Sequence, residues 1–408
     1  MSRERASRLD LRALLAAVED APPVAAADVL GEHLADALGA SEVTFLIADF
    51  SGGALIRLDH AGSRAATRTR GDETAERIAL ADSPHGRALS SQTVVVDRGP
   101  GPARLYAPVT NRGEAIGLVE LVLPEPPDDQ MLADVALAAH MLAYVIVANR
   151  RFTDLFEWGK RSVPLSLAAE IQHRLLPGSY TCEAGQFTLA GWLEPAGNVG
   201  GDTFDFAVER DLLHASISDA MGHTVEAAVL ATVLVGALRN ARRAGVELAE
   251  QAHRANAALC DYVRRGEFVT GQLARIELST GTATIVNAGH PLPLRLRDGH
   301  VEAITLRPDL PFGTARDTEY RVQRLAVRPG DRLVFLTDGM LDRNAAEVDI
   351  RAAILAGGEM HPREAVQHLV GAVVGATHGE LDDDATVMCL DWHGGPPRDR
   401  TSRSGANR

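Results

Sequence analysis

The chain has 408 residues, 46% of them hydrophobic and 24% charged, enough apolar material for two soluble domains without disulfide or metal staples. A net charge of −14, from 41 basic and 55 acidic residues, weighs against a general nucleic-acid binder, which needs basic stripes to neutralise phosphates. The three cysteines, Cys182, Cys260 and Cys389, lie far apart without a Cys-x-x-Cys pair, which weighs against a zinc site or disulfide framework and fits a reducing cytoplasm.

In chain order, residues 1–20 read as a charged amphipathic helix with no apolar signal stretch. VAAADVLGEHLADALGA continues as a helix to Gly39. SEVTFLIADFSGGALIRLDHAGS alternates apolar and polar residues around Ser51-Gly52-Gly53, a hairpin signal. SPHGRALSSQTVVVDRGPG supplies a short helix and a strand. ARLYAPVTNRGEAIGLVELVLP is a second hairpin, turning at Asn111-Arg112-Gly113. This order over residues 21–129 is an α+β sensor layout, and LYAPVTNRGEAIGLVELVLP resembles a GAF domain. The resemblance implies a small-molecule or protein input, or a dimerisation platform. The cysteine that attaches a linear tetrapyrrole is missing, since none precedes Cys182.

Residues 130–176 form a helical linker. Its first part, MLADVALAAHMLAYVIVAN, is interrupted by Asp134 and His140, so a soluble helix is expected and a membrane span is not. Leu155, Phe156, Val163, Leu167, Ile171 and Leu175 then follow a rough three-four spacing, and Pro164 predicts two helices with a kink. Two readings stay open: a helix packed on its own domain, and a dimerising signalling helix that joins sensor to output.

Residues 177–392 change to short, turn-bounded strands: GQFTLAGWLEPA, TFDFAVER, LLHASISDA, TGQLARIEL, GTATIVNAG, PLPLRLRDG, RLVFLTDG and ATVMCLDW. Leu292, Leu294 and Leu296 alternate as in a strand, and LVFL reads as a strand buried on both faces. VEAAVLATVLVGALRNARRAG, ELAEQAHRANAALCDYVRRG and HPREAVQHLVGAVVGA are helices. The expected class is α+β, with a C-terminal two-sheet antiparallel sandwich flanked by helices. Residues 393–408 are polar and rich in Pro and Gly, and are expected to be disordered.

Four acidic clusters fall at strand ends in this half: VGGDTFD with Asp202 and Asp205, ISDAMGHT with Asp219, FLTDGM with Asp338, and LDDDATV with Asp382, Asp383 and Asp384. Any one of them reads as a turn or a helix cap. Four in one domain, if they converge, repel one another and need a compensating cation, and no Lys or Arg lies inside any of the motifs. Hard oxygen ligands favour magnesium or manganese, and two such ions can activate a water for in-line attack on phosphorus.

AAEIQHRLLPG, EPAGNVGGDTFDF, SDAMGHTVEAAVLA, FVTGQLARIELSTGTATIVNAGHPLPL, LRPGDRLVFLTDGMLD and DDAT, in that order, resemble the metal-dependent (PPM-type, 2C-like) protein serine/threonine phosphatases over about residues 165–391. The branch is the bacterial sporulation and stress-response one, SpoIIE/RsbU-like. The resemblance implies Asp202 as a metal ligand and Asp219 as the carboxylate bridging two Mn2+ or Mg2+ ions. It also implies the backbone carbonyl of Ala220 as a further ligand, with Asp338 and Asp383 on the second metal. Asp384 replaces Asp383 if the register shifts by one, and Asp205 and Asp382 are left structural. Ser218 and Thr224 stand where this family commonly has Gly. His223, four residues after Asp219, is a candidate acid for the leaving oxygen, with ordering of its own turn as the alternative. His290 is expected to be structural. The implied activity is hydrolysis of phosphoserine or phosphothreonine on a phosphoprotein, an antagonist of an anti-sigma factor, gated by the N-terminal domain and with a homodimer through the linker helices as an open option. The competing readings are a scaffold of the same fold that has lost turnover, and a metal-dependent nuclease or phosphodiesterase, against which the negative charge weighs.

Overall fold

The computed structural model describes residues 9–49, 52–58, 75–99, 101–160, 166–196, 200–222, 225–264, 266–341, 348–378, 381–395 and 406. Contacts divide the chain into two compact units, one made of residues 1–164 with 400–408, the other of residues 165–399.

In the first unit, helices α1 (Leu11–Asp20) and α2 (Ala26–Leu38) precede strands β1 (Glu42–Ala48), β2 (Ala54–Leu58) and β3 (Ala75–Ala79). Helix α3 (Pro84–Ser91), strands β4 (Val95–Asp97), β5 (Ala103–Asn111) and β6 (Glu114–Leu123), and helices α4 (Asp129–Asn149) and α5 (Leu155–Gly159) follow. Local chemistry sets the boundaries. Asp10 caps α1 by accepting from Arg12 N and Ala13 N, and α2 stops at Gly39, whose φ of +67° suits a residue without a Cβ. The β5–β6 hairpin turns at Arg112 and Gly113, both at positive φ.

The strands form one antiparallel sheet in the order β3-β2-β1-β6-β5-β4. One face carries Ile47, Leu105, Val119 and Leu121 against Leu30 and Leu34 of α2 and Val135, Ala138 and Leu142 of α4. The other face carries Leu46, Leu55, Tyr106 and Leu118 against Ala88 and Leu89 of α3. The helical run Asp129–Phe152 is, among the described residues, long and apolar enough to cross a membrane by length and composition, and 44% of its apolar window is buried within the protein. On the same face as Tyr106, Glu120 of β6 is 5% exposed and accepts from Arg57 Nη2 at 2.8 Å and Arg104 Nη1 at 2.9 Å. His85 Nε2 stands 3.8 Å away. His85 and Arg57 hold the Glu120 carboxyl down to about 2, against the opposing pull of burial.

Of the two helices expected on either side of Pro164, both are present, as Leu155–Gly159 and Leu167–Leu175. After α4 come a 3-10 turn, Arg150–Phe152, and the short α5, whose Phe156 joins the core of the first unit. Residues 161–165, with Pro164, lie outside the described residues. Helix α6 (Leu167–Leu175), capped by Ser166, belongs to the second unit.

The second unit continues with β7 (Thr181–Glu183), β8 (Phe187–Glu194), β9 (Asp202–Val208), β10 (Leu212–Ala220), α7 (Val225–Arg243) and α8 (Leu248–Cys260). Then come β11 (Val269–Glu277), β12 (Ala283–Ala288), β13 (Leu294–Arg297), β14 (His300–Ala303), β15 (Gln323–Leu325) and β16 (Asp331–Leu336). Helices α9 (Ile350–Ala356) and α10 (Pro362–Ala376) lead to β17 (Ala385–Trp392). Two antiparallel sheets result, β15-β12-β11-β10-β9 and β14-β13-β16-β17-β8-β7. Leu213, Ile217, Ile285, Leu189, Phe335 and Leu390 pack between them. Helices α7 and α8 cover the outer face of the first sheet, and α9 and α10 that of the second. All six residues of β16 are buried, as the continuous LVFL run requires of a strand covered on both faces.

The sandwich has three short strands, β7, β14 and β15, that no sequence periodicity marked. The expected strand around Leu292 begins only at Leu294, so Leu292 sits in a loop and is 39% exposed. At the C-terminus, the backbone N–H groups of His393 and Gly394 both donate to Gln186 O, so chain order extends past residue 392. Most of the tail expected to be disordered lies outside the described residues.

Candidate active site

Strand pairing alone brings the first two carboxylates together. Asp202 opens β9, Asp219 stands next to last in β10, and the two are direct cross-strand partners. Alternation puts Asp202 on the same face as Phe204, which is 1% exposed and packs with Leu176 and Leu193. The third carboxylate, Asp338, starts a 3-10 turn directly after buried β16. The fourth cluster precedes β17, whose hydrogen bonds to β16 and β8 fix its register.

Asp202 is 2% exposed, and its Oδ2 accepts from Thr337 Oγ1 at 2.7 Å. Burial pushes its pKa well above the usual carboxylate range, and Asp219 and Asp384 push the same way. Asp219 is half-buried, and its pKa is raised to about 7 by burial first and then by Asp338, Asp383 and Asp384. The charges acting most strongly on Asp219 are therefore carboxylates, and mutual repulsion of that size is relieved either by protons or by a cation.

Asp383 and Asp384 play different parts. Asp384 is 1% exposed, and its oxygens accept from Gln172 Nε2 (2.6 Å), Ala196 N (3.0 Å), Gly201 N (3.2 Å) and Asp202 N (3.5 Å). It fastens the Gly201-Asp202 corner to the start of β17. Asp383 is exposed, and its Oδ1 accepts from Asp384 N at 2.9 Å. Gln172, fully buried on α6, also donates to the Asp202 carbonyl at 2.9 Å. Gly201 lies against Ala220: a Cβ at residue 201 would stand 2.5 Å from the Ala220 carbonyl oxygen, so only glycine leaves room there.

The donor set fits hard divalent cations. It consists of carboxylates, two of them with raised pKa, and a carbonyl oxygen beside a backbone corner kept bare by glycine. Among the described residues no three or more His, Cys, Asp or Glu side chains stand in a ready-made ligating arrangement, so the carboxylates are neighbours without being preset as a cage.

Residues 209–393 match the family Stage II sporulation protein E (SpoIIE). The chain is 20% identical over 232 residues to the phosphoserine phosphatase RsbU of Bacillus subtilis, covering 55% of this chain and 69% of the relative. The second unit is a PPM-type phosphatase domain of the SpoIIE/RsbU kind. Among solved structures, the RsbU and RsbW domains of Rv1364c from Mycobacterium tuberculosis share 22% identity at a TM-score of 0.46, covering 52% of this chain and 63% of that one. The PP2C phosphatase domain of SpoIIE from Bacillus subtilis, with a fragment of its regulatory domain, shares 18% identity at a TM-score of 0.45, covering 51% of this chain and 65% of that one. The match thus spans less than two thirds of either solved chain.

Within the phosphatase domain, Asp205 points to the opposite face of β9 from Asp202. There Arg239 grips both its oxygens at 2.9 and 3.1 Å, Arg242 adds a contact at 3.1 Å, and Arg239 also donates to the Leu175 carbonyl at the end of α6. Asp382 is exposed next to Asp383. His290 is 4% exposed with Nδ1 2.8 Å from Thr270 Oγ1, and burial lowers its pKa to about 3, which keeps the ring neutral. Ser218 shares a 2.7 Å hydroxyl hydrogen bond with Thr203 across the β9–β10 pair. His223 and Thr224 lie outside the described residues.

The sequence reading assigned no part to Gln172 or Thr337. The signal for Gln172 was an uncharged polar residue inside a helix otherwise turned inward through Ala168 and Ala169.

Proposed function

We propose that this chain hydrolyses phosphoserine or phosphothreonine on a regulatory phosphoprotein, with Asp202, Asp219, the Ala220 carbonyl, Asp338 and Asp383 holding two Mn2+ or Mg2+ ions. The observation that carries the reading is the convergence of carboxylates: Asp202 and Asp219 are direct cross-strand partners, and Asp338, Asp383 and Asp384 stand close enough to act on Asp219, which with burial raises its pKa. Two bound cations would supply a water of lowered pKa and charge stabilisation for the phosphoryl oxygens. The chain's own residues do the positioning. Thr337 orients Asp202, Asp384 fastens the corner that carries it, and the β9–β10 pairing sets Asp202 opposite Asp219. Of the neighbouring pair, Asp383 is assigned to metal because the oxygens of Asp384 already accept from four donors.

The substrate class follows from the SpoIIE/RsbU resemblance: a small phosphoprotein antagonist of an anti-sigma factor, in the cytoplasm. The first unit, with its GAF-like order of elements, would gate the rate. Manganese-dependent hydrolysis of a phosphoserine peptide, with loss of turnover in Asp219→Asn and Asp338→Asn and retention of the fold, is the test. Unchanged turnover in either variant removes the two-metal reading. Deleting residues 1–150 changes the rate if the first unit gates; an identical rate argues against it. A scaffold without turnover is the second reading, favoured by the lack of a preset ligating cluster among the described residues; metal-dependent turnover by the intact chain rejects it.

A further inference from the structure

A cavity of about 480 Å³ opens beside the carboxylates. Asp338 and Thr270, the cross-strand partner of Asp219, are among the residues that line it. The rest of the lining includes Pro291, Leu292, Leu306 and Pro308. The volume is in the range of specific ligand pockets.

The chemistry of the wall selects its occupant. Its lining contains no Lys or Arg, so nothing there offers a charge-assisted hydrogen bond to a phosphate. Four of its residues are apolar, and Leu292 is 39% exposed at the rim. A phosphoryl group therefore belongs among the carboxylates and their cations, and the cavity next to it suits the apolar side chain of a neighbouring substrate residue.

The rim loop is also built rigidly. Asn287, fully buried, accepts from His290 N at 2.8 Å and donates to His290 O at 3.1 Å. Gln272, 1% exposed, donates to Pro291 O at 2.7 Å. Gly289 has φ +69°, and a Cβ there would meet Pro311 Cγ at 2.8 Å. Two buried amide side chains and an obligatory glycine thus fix a loop that presents Pro291 and Leu292. Such preorganisation lowers the ordering cost of binding and makes a pocket selective.

We propose that this cavity is a specificity subsite that takes the apolar side chain adjacent to the phosphorylated serine or threonine, with Leu292 as its specificity-determining residue. The proposal rests on the phosphatase reading above.

The experiment uses the full chain with Mn2+ and three kinds of substrate: p-nitrophenyl phosphate, a phosphoserine peptide with leucine on either side of the phosphoserine, and the same peptide with aspartate or lysine there. The wild-type chain is expected to favour the leucine peptide in kcat/KM by roughly tenfold or more over the aspartate one, the scale of discrimination by an apolar pocket. Leu292→Glu is expected to lower kcat/KM for the leucine peptide and to raise it for the lysine peptide. A variant that merely folds poorly lowers both. Hydrolysis of p-nitrophenyl phosphate with equal kcat/KM on all peptides overturns the subsite and leaves the phosphatase reading standing. A Leu292→Glu profile parallel to that of the wild type also overturns it. Absence of turnover on every substrate removes the phosphatase reading, and the subsite with it.

Discussion

Glu120 in the first unit and Asp219 in the second are both carboxylates withdrawn from water, and their acidities move in opposite directions. Glu120 meets Arg57, Arg104 and His85, and its pKa falls to about 2. Asp219 meets Asp338, Asp383 and Asp384, and its pKa rises to about 7. Asp205, only three residues from Asp202, is clasped by Arg239 and Arg242, as Glu120 is by its own arginines. A carboxylate answered by arginine is part of the framework. Carboxylates crowded by other carboxylates, as around Asp219, are the setting in which a cation would relieve the repulsion.

The largest expected effect breaks that contrast at the site. Asp219→Asn removes at least about a thousandfold of manganese-dependent turnover, equivalent to about 4 kcal/mol of transition-state stabilisation. In metal-free buffer the same variant melts no lower than the parent, because a repulsive charge is gone; a clear loss of melting temperature would falsify the reading of Asp219 as an uncompensated charge. The framework carboxylate behaves in reverse. Arg239→Ala leaves Asp205 with one weaker partner in a buried setting, and destabilises the protein by about 3 kcal/mol in denaturant titrations. A cost near zero there would mean that the clasp is ornamental.

Metal sharpens the comparison next. Manganese at a hundred times its dissociation constant raises stability by about 2.7 kcal/mol through mass action alone. The rise in melting temperature is absent in Asp219→Asn and retained in Glu120→Gln, as calorimetry of the two variants can check.

The smallest effect is in pH. Glu120 has a folded pKa below its usual value of 4.5, so the stability it contributes is fully present above that value and is lost as pH falls towards about 2. Asp219 has a folded pKa raised to about 7 from 3.8, so the metal-free protein gains stability as pH falls from 7 towards 4. Acid titration of the metal-free chain should show first a gain and then a loss. Saturating manganese should remove the gain and Glu120→Gln should blunt the loss; a monotonic curve in the metal-free chain contradicts the opposed shifts.

Much of this candidate site was legible because its aspartates stand at the ends of apolar strands. Asp202, Asp219 and Asp338 each sit where a strand begins or ends, and alternation and turn chemistry suffice to place them at one end of a sandwich. The choice between Asp383 and Asp384 was not legible. It depends on whether β17 starts at residue 384 or 385 and on what lies beneath, and one residue of shift exchanges a buried carboxylate for an exposed one. Gln172 escaped because its partners, Asp202 and Asp384, lie 30 and 212 positions away, and no local pattern encodes such a contact. Leu292 misled because alternation with Leu294 and Leu296 looks the same in a strand and in the loop that enters it. Strands of three or four residues, such as β7 and β15, are too short to show a period at all.

The direct pairing of Asp202 with Asp219 has a consequence for how this chain can change over generations. Inserting or deleting one residue within β9 or β10 would turn one of the two carboxylates to the opposite face and empty half the site, whatever the overall stability. The turn at Glu209–Asp211, on the far side of the pairing, carries no such constraint. Length variation in the legs of this hairpin is therefore punished through the carboxylate pair, whereas at the tip it would cost the hydrogen bonds that tie Asp211 to Leu278 and Ser279 and leave the pair in register.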